Sequence, residues 1–179
     1  MKKEIIESAD IPEGTTCRFS DSILFCKKDS LELSKKFKLP KVEIEVKGSK
    51  IILSSKKGSK KEFKMIKSAI AHIKNIFKGL KNKFTYHLEA CNLHFPMILK
   101  VEKDELVINN FLGEKVPRRA KIRPKVEIDV KGYKITLTSN DREAAGQTAA
   151  NIEKATKISY RDRRIFQDGI FITEKPEDK

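Results

Sequence analysis

Apolar and polar residues alternate without a break from Val42 to Lys47. Val42, Ile44 and Val46 are separated by Glu43 and Glu45, the two-residue period of a strand with one buried face. Gly48 then supplies the positive φ of a tight turn, and Ile51 and Leu53 resume the alternation, so the segment predicts a hairpin. The pattern returns 84 residues later in Val126, Ile128, Val130, Gly132, Ile135 and Leu137. Residues 41–55 (KVEIEVKGSKIILSS) and 125–139 (KVEIDVKGYKITLTS) are identical at eleven of fifteen positions. Several of the shared positions are polar, where packing dictates nothing, so the repeat reads as an internal duplication. Pro12 and Pro96, and Pro40 and Pro124, keep the same offset; downstream it falls to 82, pairing Ser59 with Asp141, Ile70 with Ile152, Phe84 with Phe166 and Leu88 with Ile170.

A helix follows each hairpin. Ser59 and Glu62 have capping-box spacing, and Phe63, Ile66, Ile70, Ile73 and Phe77 recur at helical intervals until Gly79 is expected to end the run. In the second copy Asn140 or Asp141 caps a helix whose apolar face is mostly small: Ala145, Ala149, Ile152 and Ala155. The two stripes imply different helix-to-sheet distances. After each helix an extended segment is expected to return to its own sheet, through Phe84, Tyr86, Leu88 and Ala90 in the first copy and Phe166, Ile170 and Ile172 in the second. Earlier strands are expected at 15–20 and 22–27, and at 97–101 and 105–109. The fold class is therefore α+β: two tandem repeats, 1–82 and 83–179, each a small antiparallel or mixed sheet covered on one face by one helix.

Charge narrows the function. The 179 residues carry 39 Lys+Arg against 25 Asp+Glu, a formal net charge of +14, and a folded chain so basic expects a polyanion as partner. Lysine dominates the first repeat, but seven of the eight arginines fall in the second. Arginine grips phosphate with a planar fork, whereas lysine acts as a hydrated point charge. The second repeat is thus expected to be the main RNA-binding one. Six of its seven arginines fall in two short stretches. In GEKVPRRAKIRPK (113–125), Lys115, Arg118, Arg119, Lys121, Arg123 and Lys125 face only Glu114 in opposition, and Pro117 and Pro124 keep the segment extended. In 157–171, Lys157, Arg161, Arg163 and Arg164 lie between helix and last strand beside Asp162 and Asp168. The lysine-rich run 56–67 is a weaker candidate, since exposed helix faces often look alike.

Other classes find little support. No apolar run reaches the ~20 residues of a membrane helix, and the start MKKEIIESAD has no apolar stretch of a secretory signal. Cys17, Cys26 and Cys91 show no metal or disulfide spacing, so a soluble intracellular protein with reduced thiols is expected. His72, His87 and His94 stand apart in sequence, with no ligand spacing and no evident carboxylate partner, so neither a metal, a cofactor nor catalysis is expected. With no Trp and no aromatic-rich strand, a base-stacking sheet module is also unexpected, and phosphates and shape of structured RNA are the favoured target. A free-standing regulator of structured RNA is the alternative reading.

Several elements carry a resemblance. Asn110-Phe111-Leu112-Gly113-Glu114-Lys115 followed by Arg118-Arg119, with His94-Phe95-Pro96 before it, resembles the universal large-subunit ribosomal protein six family, called nine in the older eukaryotic naming. Arg164-Ile165-Phe166-Gln167-Asp168-Gly169-Ile170-Phe171 is similar to its archaeal–eukaryotic signature, and Gly146-Gln147 with Ala149-Ala150 and Ile152 to its shared helix. The first repeat departs from the family in lacking its early hairpin glycines and the tryptophans of eukaryotic members. The resemblance implies a structural protein of the cytoplasmic ribosome. Its second domain would sit on large-subunit rRNA near the sarcin–ricin loop and the stalk base, beside other ribosomal proteins and the site of translation GTPases. It places RNA contact on Lys115, Arg118, Arg119 and Arg123 and on the stretch holding Arg163, Arg164 and Gly169.

Overall fold

The computed structural model describes residues 3–162 and 164–176, and the side chains of all of these but Lys3 and Lys57. The chain folds as two compact units, Met1–Asn82 and Lys83–Lys179.

In the first unit β1 (Lys3–Asp10), β2 (Thr15–Ser20), β3 (Ile23–Lys28), β4 (Leu31–Lys36), β5 (Glu43–Lys47) and β6 (Lys50–Gly58) precede α1 (Lys60–Lys81). They form two antiparallel sheets, ordered β1-β6-β5 and β2-β3-β4. The expected hairpin is β5–β6, and β1 and β4 are strands the alternation did not signal. The Ser59 hydroxyl accepts from Lys61 N–H at 3.2 Å, while the Ser59 N–H donates to the Glu62 carboxylate at 2.9 Å, completing the capping box. Hydrogen bonds from the Ser59 hydroxyl and then the Ser59 and Glu62 amides hold the Glu62 carboxyl down to about 2. Ile66, Ile73, Leu24, Ile51 and Leu53 form the fully buried centre.

Two expectations about α1 change. Gly79 lies inside the helix, which continues to Lys81 because Leu80 is still on the buried face and Asn82 N–H closes the end on Lys78 O at 2.9 Å. Phe63 leaves the core stripe for the surface, where Lys67 Nζ stands 5.4 Å from its ring.

The second unit contains β7 (Phe84–Cys91), β8 (Ile98–Glu102), β9 (Glu105–Asn109), a 3-10 turn (Phe111–Gly113), β10 (Arg118–Lys121), β11 (Glu127–Lys131), β12 (Lys134–Ser139), α2 (Arg142–Ala155) and β13 (Gly169–Glu174). Its antiparallel sheets are ordered β11-β12-β7-β13 and β10-β9-β8. The α+β class with duplicated sheet and helix holds, each unit having two sheets.

The duplication reaches the backbone angles. Gly48 and Gly132 both have positive φ (57° and 62°), and so do Lys41 and Lys125 (65° and 66°), each directly after a proline. It also corrects one assignment. Ile51 of β6 faces Ala9 on one side and Val46 on the other, and its counterpart Ile135 faces Leu88 and Val130. The strand Phe84–Cys91 is therefore the first of the second unit, equivalent to β1, and does not close the first sheet. Alternation records which face is apolar; it carries no label for the ladder that completes the hydrogen bonds. The last strand, β13, is an addition on the outer side of β7, and Phe166 lies in the loop before it.

Asp141 supplies the α2 cap, its Oδ1 accepting from Glu143 N–H at 2.9 Å. Ala145, Ala149 and Ile152 are fully buried, and a Cβ at Gly146 would lie 3.0 Å from the Tyr86 hydroxyl, so the small residues let α2 sit low on the sheet.

Candidate RNA interface

The first basic stretch is extended, as expected, and more specifically it is a strand. Arg118, Arg119, Ala120 and Lys121 pair with Ile108, Val107, Leu106 and Glu105, making β10 the edge of its sheet. Ala120 and Ile122 are buried, whereas Arg119, Lys121 and Arg123 alternate with them onto the exposed face. The outer edge of this segment is closed by α2: Arg123 N–H donates to Thr148 Oγ1 at 3.1 Å and Asn151 Nδ2 to Lys121 O at 2.9 Å. Those two bonds occupy backbone groups on the outer edge, and the alternating Arg119, Lys121 and Arg123 side chains stand on the exposed face.

Arg118 has a different task. Its Nε and Nη2 form a fork on the two Glu114 oxygens at 2.8 and 2.6 Å, and its Nη1 donates to Ala155 O at 2.9 Å and Lys157 O at 3.2 Å. The guanidinium carbon lies 4.3 Å from the centroid of the buried Phe111 ring. One side chain thereby ties the turn at 111–114 to the C-terminal end of α2, where a cation also suits the helix dipole. Hydrogen bonding to Arg118 holds the Glu114 carboxyl below its usual range against partial burial, with the charges of Arg118 and Arg161 adding to it. The turn itself is tightly wound. Asn110, Leu112 and Gly113 all have positive φ (58°, 50° and 78°), Asn110 Nδ2 donates to Pro96 O at 3.0 Å, and the space a Gly113 side chain would need lies 3.5 Å from the Phe95 ring.

The second stretch is organised around a histidine. His94 Nδ1 lies 2.6 Å from Asp168 Oδ2, and Asp168 Oδ1 accepts the Leu93 and His94 amides at 2.8 and 3.0 Å. Asp168 is buried; burial pushes its carboxyl up, but the His94 amide, the His94 ring and the Leu93 amide together bring it below its ordinary value. This corrects the reading of His94 as lacking a carboxylate partner. The two are 74 residues apart, beyond any spacing rule. His94 stacks on Phe166, and Arg161 lies over the same ring. Arg164 folds back on Asp162, its Nη2 at 2.9 Å and Nε at 3.2 Å from the carboxylate oxygens. Gly169 begins β13, where a Cβ would meet the Phe171 ring at 3.0 Å. Arg163 lies outside the described residues.

The expected basic residues therefore divide. Among the described residues, the side chains of Lys115, Lys121, Arg123, Lys125 and Lys157 are exposed and make no internal hydrogen bond or ion pair. Arg119 faces Glu105 at 3.2 Å and Glu102 at 3.9 Å, exposed pairs worth about 0–1 kcal/mol that a phosphate can replace. Arg118 and Arg164 spend their forks internally. In the lysine run 56–67, Lys56 pairs with Glu43 at 3.7 Å and Lys67 with Glu7 at 2.6 Å. Among the described residues no three metal-binding side chains converge, and no helix is long and apolar enough to cross a membrane.

Residues 95–169, which span the tight turn, β10, α2 and the second basic stretch, match the family described as ribosomal protein L6. Nearly the whole chain aligns with curated relatives. It is 42% identical over 171 residues to large ribosomal subunit protein uL6 of Methanobrevibacter smithii, covering 96% of each chain. The uL6 proteins of Methanocella arvoryzae and Methanosarcina mazei are 38% identical over 176 residues and 39% over 175, in both cases covering 98% of this chain and 99% of the relative.

Proposed function

This chain belongs to the uL6 family of large-subunit ribosomal proteins, and from that premise we propose that its second unit holds it on large-subunit rRNA near the sarcin–ricin loop and the stalk base. As a uL6 protein it is a structural component of the large subunit, not an enzyme. It binds rRNA and neighbouring ribosomal proteins in the cytoplasmic ribosome. The finer reading is that Lys115, Arg119, Lys121, Arg123, Lys125, Lys157 and Arg161 meet the RNA, with stalk-base proteins and translation GTPases close by. Arg118 and Gly169 shape the surface, and Arg164 presents a fork already paired with Asp162.

The observation that carries this reading is the exposed cations within the two arginine-bearing stretches of the second unit: among the described residues, Lys115, Lys121, Arg123, Lys125 and Lys157 find no counter-charge. A charge satisfied inside the fold gains little from a phosphate, whereas these five can release condensed counterions on binding. Titration of the full chain with a large-subunit rRNA transcript at several salt concentrations tests it. Arg123→Gln or Lys157→Gln should flatten the log–log salt slope by roughly 0.7–0.9 each. Lys60→Gln, on the first unit, should leave it nearly unchanged. Equal effects at all three positions would remove the case for the second unit as the anchor.

A further inference from the structure

The loop after α2 holds two side chains that phosphate binding leaves unexplained. The first is Arg161, whose guanidinium carbon lies 4.8 Å from the centroid of the Phe166 ring. Phe166 is stacked on His94 with centroids 4.9 Å apart and planes inclined by 27°. His94 is held at Nδ1 by the buried Asp168, 2.6 Å away, which also accepts two backbone amides. Each layer fixes the next, so Arg161 is the exposed plate of a braced stack and not a charge on a loose tether. Rotamer freedom that a partner would otherwise have to quench is already reduced.

The second is Tyr160. Its side chain is wholly in solvent, at 107% relative exposure, and its backbone has φ +60°, a conformation bulky L-residues seldom adopt. The fold receives no packing from this ring in return for the strain. Strain kept at an exposed aromatic beside a cationic plate points outward, to something the ring meets when bound. Lys157, whose side chain has no partner among the described residues, precedes the pair by three residues, and Arg161 lies close enough to Glu114, next to Lys115, to stabilise its charge.

We propose that Tyr160 and Arg161 form a stacking site for an unpaired nucleobase of the bound RNA. The inference rests on the reading of this face as an RNA interface and adds what is recognised there: a base turned out of its helix, beyond the phosphates alone. A guanidinium plane and a phenol ring both accept the face of a base. The absence of an aromatic-rich strand does not bear on it, because the platform is assembled on loops from residues 94, 161 and 166.

Lysine keeps the charge of Arg161 but loses the planar fork, which can grip a phosphate as well as the face of a base, so the Tyr160 variants and base-directed probing separate the two. In titrations of the full chain with a large-subunit rRNA transcript, Arg161→Lys and Tyr160→Ala should each weaken binding by about 5- to 150-fold. Arg161→Lys should do so with the salt slope unchanged, and Tyr160→Phe should bind as the unmodified chain does. Base-directed chemical probing should find a nucleotide protected by the unmodified chain and by Tyr160→Phe but reactive with Tyr160→Ala. Should Arg161→Lys destabilise the loop, the Tyr160 pair decides alone, since that ring supports nothing in the fold. Unchanged affinity and unchanged protection with Tyr160→Ala would overturn the stacking site while leaving the RNA interface standing. Loss of binding by the unmodified chain itself would instead overturn the interface and the site together.

Discussion

Replacing Arg118 by lysine separates bracing from binding. Lysine preserves the charge but cannot span the Glu114 carboxylate and the Ala155 and Lys157 carbonyls at once. The Glu114 pair is partly exposed, with side-chain exposures of 27% and 40%, and is worth about 0–1 kcal/mol. Each carbonyl bond from a charged donor contributes about 1.5–3 kcal/mol when made, and a lysine can keep at most one of them well. The plane over Phe111 adds about 0.5–1 kcal/mol. Allowing for what the ammonium recovers, Arg118→Lys should destabilise the second unit by about 2–4 kcal/mol. The composition offers a clean assay. There is no Trp, and Tyr86, Tyr133 and Tyr160 all lie in the second unit, so tyrosine fluorescence in a urea titration follows that unit alone. Lys115→Gln is the counterpart: no change in the tyrosine transition, but a salt slope for rRNA binding flatter by roughly 0.7–0.9. If Arg118→Lys shifts the transition by less than ~0.5 kcal/mol while RNA affinity collapses, Arg118 is a direct contact and the bracing role is refuted.

Two further outcomes follow from the fold. Gly132 has φ +62° with no atom within 4 Å of an added Cβ, so Gly132→Val tests backbone strain without a clash and should cost about 1–3 kcal/mol by the same tyrosine titration; an unchanged midpoint would mean that the β11–β12 turn relaxes freely. For Glu62, the folded carboxyl titrates at about 2 against an ordinary 4.5, so its contribution is complete above pH 4.5 and is lost as pH falls toward 2. Helical circular dichroism during thermal unfolding should show that acid loss in the unmodified chain and a shallower one in Glu62→Gln; identical acid profiles would mean the capping box carries no pH dependence.

Much of the architecture was legible because it is local. The hairpins at 42–53 and 126–137, their positive-φ glycines and the Ser59–Glu62 box depend on residues a few positions apart, where sterics and hydrogen bonding act within one segment. The duplication was legible because two copies of one pattern test each other. Phe63 and Gly79 mark where such reasoning ends: helical spacing put Phe63 in the core stripe and let glycine stop the helix, but the core reaches past Gly79 to Leu80 and stops short of Phe63.

The candidate interface shows the same division more sharply. Charge and residue type pointed to 113–125 and 157–171, and both stretches lie on the second unit, yet sequence could not sort the cations within them. Lys115 and Arg118 are three residues apart; one finds no partner among the described residues, and the other is gripped by Glu114 and two carbonyls. His94 and Asp168, and Arg161 over Phe166 on His94, meet only because β7 and β13 are neighbours in one sheet.

By itself, then, the order of residues determined the repeat, its hairpins and helices, the helix N-caps and the sign and type of surface charge, all of which follow from neighbours along the chain. Which sheet received the strand at Phe84–Cys91, which arginine became a brace, and which histidine acquired a buried carboxylate were decided only in three dimensions. A ladder partner or a counter-ion is chosen by where distant segments come to rest, and a side chain's chemistry is spent on whatever lies within about 3 Å of it there.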